Sequence, residues 1–82
     1  MITDKLGDAA TEEIERWAGT LVRSLDQRAG VSVYHDADSS TYVVRLARAN
    51  RVLLFRFSEA QVLTASREKE CEKIVKEKLR DL

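Results

Sequence analysis

Three groups of residues in this chain have the types and spacing that chemistry asks for. His35-Asp36-Ala37-Asp38 places three nitrogen or oxygen donors within four residues, enough in principle to hold a divalent cation and activate water. No distant donor set completes it. With Ser39 and Ser40 it reads as a turn, because Asp and Ser side chains hydrogen-bond their own backbone. Cys71 is the only thiol, which excludes an internal disulfide and a multi-cysteine zinc site; it reads as a small apolar residue on a helix face. The third group is Arg45, Arg48, Arg51 and Arg56, four arginines with no acid anywhere between Ser39 and Ser58. Such a patch is a candidate phosphate-binding surface, because at physiological salt charges more than about 8 Å away cancel little of its field.

No nucleophile and base pair and no glycine-rich phosphate loop can be assembled, so the chain is expected to be non-enzymatic, with no cofactor and no metal. Function is then expected to lie in a surface, and hydrophobic period tells which elements would present it.

From Asp8 to Ala29, the apolar residues Ala10, Ile14, Trp17, Ala18, Leu21, Val22, Leu25 and Ala29 recur at steps of three and four, which predicts an amphipathic helix. Asp8 is its expected N-cap and Gly30 the left-handed residue that ends it. Trp17 is the expected anchor of the core. Gly19 falls opposite the apolar stripe, as a surface glycine would.

Near Val31 the period changes to that of strands. Val31 to Tyr34 is a short strand, and Thr41 to Ala47 and Val52 to Phe57 are longer ones rich in β-branched and aromatic residues. Ala49-Asn50 joins the last two as a tight turn. Pairing Ala47 with Val52 then brings Tyr42, Val44, Leu46, Leu53, Phe55 and Phe57 to one face, which meets the helices. Val43, Arg45, Val52, Leu54 and Arg56 go to the other face, which is left open.

Ser58 and Gln61 form a capping box where the strand pattern stops, so a second helix starts near Glu59. Its apolar stripe runs through Leu63, Cys71, Ile74, Val75, Leu79 and Leu82. Val62 lies off that stripe, and a break near Ser66 would let Val62 and Leu63 both point inward. A continuous helix would be about 34 Å long, well beyond a strand of about 20 to 23 Å, so Ile74, Val75 and Leu79 need cover from helix 1 or from a second chain.

The predicted architecture is α+β, one domain over residues 1–82. It is a two-layer sandwich of order α-β-β-β-α with a three-stranded antiparallel meander and both helices on one face. That order resembles the topology of double-stranded-RNA-binding domains, where a histidine also sits in the first inter-strand loop, as His35 would here. Two features of that family are missing: its second helix opens with phosphate-gripping lysines, whereas this one opens Ser58-Glu59-Ala60-Gln61, and Gly-Pro precedes its loop histidine. No residue role transfers.

The chain has 82 residues, with 14 basic and 14 acidic side chains, so global charge points to no particular partner. There is no apolar run at Met1 to Gly7 and none long enough to span a membrane, so a cytoplasmic location is expected. The expected function is a small interaction module, self-associating as a homodimer through Val43, Arg45, Val52, Leu54 and Arg56 or through Ile74, Val75 and Leu79. Binding of nucleic acid or another phosphate ligand through Arg45, Arg48, Arg51 and Arg56 is the alternative.

Overall fold

The computed structural model describes all 82 residues, in the order α1 (Asp8–Leu25), β1 (Gly30–Asp36), β2 (Thr41–Arg48), β3 (Arg51–Ser58), α2 (Glu59–Leu63) and α3 (Glu68–Asp81). A single 3-10 turn, Ala65–Arg67, separates the last two helices. The strands form an antiparallel meander in the order β1-β2-β3. This is the α+β arrangement that the change of hydrophobic period predicts, and no helix is long and apolar enough to cross a membrane.

The β2–β3 register obeys the sequence pattern: Ala47 pairs with Val52, Val44 with Phe55 and Tyr42 with Phe57. Ala49 opens the two-residue turn at φ 55°, a left-handed conformation that glycine would adopt with less strain. Tyr42, Val44, Leu46 and Phe57 are fully buried with Ile14 and Val22 of α1 and Cys71 and Val75 of α3, in one cluster drawn from both layers. Every buried side-chain nitrogen and oxygen has a hydrogen-bond partner. Tyr42 shows how: its hydroxyl accepts the backbone N–H of Gly7 at 3.0 Å, tying mid-sheet to the start of α1. Burial pushes its pKa up, so it stays a neutral phenol.

Several local expectations give way. Helix α1 is capped by Gly7, at φ 62°, rather than by Asp8, and it ends at Leu25 with Asp26 extended. Gly30 is the first residue of β1, with nothing near its missing side chain. Strand β1 runs on to Asp36, so His35 lies in a strand and not in a loop. Gly19 is buried, because the guanidinium of Arg23 folds back over it; a methyl there would stand 3.0 Å from Arg23 Nη1.

Trp17 is only half-buried. It packs its edge on Phe57, with ring centroids 6.4 Å apart, while Tyr42 and Phe57 are the largest side chains that are fully enclosed. An indole in mid-stripe is too large for the layer between helix and sheet, so it takes the margin, and the single-ring aromatics of the strands fill the centre.

The second helix is broken at Thr64, which is extended, and the capping box at its start is complete: Gln61 N–H donates to Ser58 Oγ at 3.1 Å and Ser58 N–H to Gln61 Oε1 at 2.8 Å. The break removes the length problem. At 14 residues α3 is about 21 Å long, and it lies alongside α1. Val75 and Leu79, expected as surplus apolar surface for a second chain, are buried in the core, as is Leu82, while Ile74 packs at its edge. Of the helical dimer surface of Ile74, Val75 and Leu79, the last two are therefore corrected to core and Ile74 to its margin. The N-terminus secures the break, since the N–H groups of Ile2 and Thr3 both donate to the carbonyl of Val62, at 3.0 and 3.3 Å.

Candidate functional site

Side chains alternate across a strand, so the register that buries one face also composes the open one. Across β1, β2 and β3 its rows read Gly30, Ala47, Val52; then Ser32, Arg45, Leu54; then Tyr34, Val43, Arg56. Tyr34, Val52 and Leu54 are 53%, 52% and 56% exposed, and Leu54 lies in the row between the other two. A shallow groove of about 410 Å³ runs over the sheet between Tyr34, Leu54 and Arg56. At its base Val43 is only 2% exposed, with Lys78 of α3 reaching the same groove. Its own neighbours enclose it, so Val43 supports the surface rather than presenting one, a correction to its place among the contact residues.

Arg56 is not a free cation. Its Nη1 donates to Asp36 Oδ2 and to Thr41 Oγ1, both at 2.9 Å, and the bond to Asp36 is the main cause holding that carboxyl below its ordinary pKa. Arg48 is spent as well: Nη1 donates to Asp26 Oδ2 at 2.6 Å and Nη2 to the Leu82 carbonyl at 2.9 Å. The four arginines do not converge. Arg45 and Arg56 lie on the open face, whereas Arg48 and Arg51, paired with each other across the hairpin, alternate to the other side. The structure thus brings Arg45, Val52, Leu54 and Arg56 together, adds Tyr34, and separates Arg48 and Arg51 from them.

Tyr34 was open to discovery from the sequence. Val31 and Val33 share a parity, and if they face the core then Tyr34 cannot.

The other reactive types are dispersed. His35 points to the covered side, with Nε2 3.4 Å from Glu59 Oε1 and its ring tilted on Tyr42 at 5.1 Å. Asp36, one residue on, faces the opposite way and accepts the N–H of Asp38 at 3.1 Å, closing the turn. Nowhere do three His, Cys, Asp or Glu side chains gather as metal ligands would. Cys71 is buried, its thiol pushed up to about 11 by burial first and then by the Glu70 charge, and it donates to the Gln61 carbonyl at 3.7 Å. A thiol so protonated is a poor nucleophile.

Comparison with protein-family models, with curated proteins and with solved structures finds no match to this chain.

Proposed function

We propose that this chain is a non-enzymatic protein-interaction module that self-associates through the open face of its sheet. The observation that carries the reading is the contiguous exposure of Tyr34, Val52 and Leu54, three large apolar groups more than half in water on one supported surface. Arg56 is neutralised by Asp36, so Arg45 is the only unpaired cation in those rows, and the patch has an apolar centre with a polar rim, the composition of an interface. The dispersal of His35, Asp36 and Cys71 supports a role without chemistry. A lone cysteine kept as a buried free thiol supports a reducing, cytoplasmic setting.

Size sets the expected strength. Three strands of up to eight residues make a face of roughly 26 by 14 Å, smaller than the about 600 Å² per partner at which stable dimers begin, so association should be weak and reversible. The phosphate alternative needs Arg45, Arg48, Arg51 and Arg56 on one surface; two of the four being ion-paired, and the set divided between faces, favours the apolar reading.

Light scattering across a concentration and salt series tests it. The mass is expected to rise from monomer towards dimer with concentration and to respond little to salt, because apolar contact is not screened. Leu54→Glu should hold the chain monomeric without lowering its melting temperature, since it places a charge opposite its own symmetry mate and touches no core residue. A parent that stays monomeric at high micromolar concentration, in low and high salt alike, overturns the proposal.

A further inference from the structure

We propose that the cleft between the C-terminal end of α1, the base of the β2–β3 hairpin and α3 binds a small phosphate-rich anion, of the size of pyrophosphate or a nucleoside diphosphate. This site is separate from the open sheet face and does not depend on it.

The cleft has a volume of about 670 Å³, within the range of small-ligand sites, and five cationic side chains line it against two acidic ones. The chain as a whole carries no net charge, so this surplus is a local concentration that no sequence count reveals. Its cations come from three segments: Arg28 after α1, Arg48 at the hairpin base, and Lys73, Lys76 and Arg80 at helical spacing on one side of α3. Clefts lined by one sign of charge focus the field and raise the local concentration of a counter-ion.

Not every charge is available, and the arrangement says which are. Asp26 is occupied by Arg48 at 2.6 Å and by the Arg28 backbone N–H at 2.9 Å, and those two bonds hold its carboxyl below the usual range. Arg48 in turn bridges to the Leu82 carbonyl, so it braces the wall rather than waiting for a ligand. Lys76 leans on Glu72 at 3.2 Å. Lys73 and Arg80 make no ion pair, and Arg28 reaches Asp26 only at 3.6 Å with most of its side chain in water. Three cations without a close partner around one concavity suit two adjacent phosphates better than one. Leu79 on the floor and Leu25, 52% exposed at the rim, offer apolar contact to whatever the phosphates carry.

The test is a titration of the intact chain, monitored by backbone amide NMR at near-physiological salt, with pyrophosphate, ADP and adenosine as probes. Pyrophosphate and ADP are expected to saturate, with shifts at Arg28, Arg48 and α3, and adenosine to give none. Replacing Lys73 and Arg80 by Ala together should weaken binding at least about tenfold without changing the melting temperature, since both are exposed and unpaired. Glu77→Gln removes an unpaired acid from the lining and should tighten binding about two- to fivefold, a change of sign that a merely structural effect would not give. Arg45→Ala, on the open face, should leave it unchanged. Failure of either phosphate probe to saturate at millimolar concentration, or a loss with Arg45→Ala as large as with the cleft pair, overturns the proposal.

Discussion

The two faces of strand β2 are built from alternate residues of one eight-residue segment, yet they are enclosed by different means. On the covered face Tyr42, Val44 and Leu46 reach zero exposure under α1 and α3. On the open face Val43 is nearly as inaccessible, at the base of a groove lined by Tyr34, Leu54 and Arg56 of the flanking strands and by Lys78 of α3. Burial of the first kind rests on packing between layers and of the second chiefly on neighbours across the strands. Low exposure therefore does not by itself place a residue in the core, and on an open face it identifies the centre of the patch.

The difference between the faces should be largest in stability. Phe57 is fully buried between Trp17 and Phe55, with ring centroids 6.4 and 5.4 Å away, and Phe57→Ala should cost about 3 to 5 kcal/mol, enough to unfold a domain of this size. Leu54→Ala, three residues earlier on the open face, should change stability by less than about 0.5 kcal/mol. Urea denaturation of both variants measures the gap, and two similar losses would mean that the open face carries stability as well as surface. A finer version uses the neighbours Val43 and Val44. Val43→Ala should cost about 1 to 2 kcal/mol, the transfer of two methyl groups at about 0.8 kcal/mol each, because its flexible neighbours can close the gap. Val44→Ala leaves a void that the layer above cannot fill, and should cost about 1 kcal/mol more.

The same two faces show what was legible in the sequence. Alternation in Thr41 to Phe57 sets strand register, and with it the core set Tyr42, Val44, Leu46, Phe55 and Phe57, because a one-residue slip would invert every side chain. That parity already divides Arg48 and Arg51 from Arg45 and Arg56; counting charge along the chain ignores it, and so suggests a patch that does not form. The off-stripe position of Val62 signals the break in the second helix. The consequence of the break was not legible: once Thr64 is extended, α3 can fold back beside α1, and no local pattern in Ile74, Val75 and Leu79 tells an α1 partner from a second chain. The marginal position of Trp17 depends on how much room the packed layers leave, which is a property of the whole fold. The cationic cleft is illegible for the same reason, since Arg28, Arg48 and Arg80 are neighbours only after folding.

The smallest expected difference between the faces lies in their ion pairs and appears as pH dependence. Asp36–Arg56 spans the open face at 2.9 Å, and Asp26–Arg48 fastens the covered side at 2.6 Å, with both carboxyls held below their ordinary pKa of 3.8 chiefly by the arginine hydrogen bond. A carboxyl whose pKa is lower in the folded state leaves the unfolded chain to take up more protons. Stability is thus fully present above the unfolded value and declines as the pH falls below about 4. Asp26 is the less exposed of the two, its side chain 14% accessible against 30%, and its arginine also ties down Leu82. Replacing Asp26 by Asn should therefore flatten the acid limb of the stability curve more than replacing Asp36 by Asn, in thermal melts taken between about pH 2 and pH 6. The ordering should hold at low salt and widen in relative terms at high salt, where the more exposed Asp36 pair is screened first. An equal or reversed ordering would mean that the open face, and not the covered side, holds the charge-dependent part of the fold.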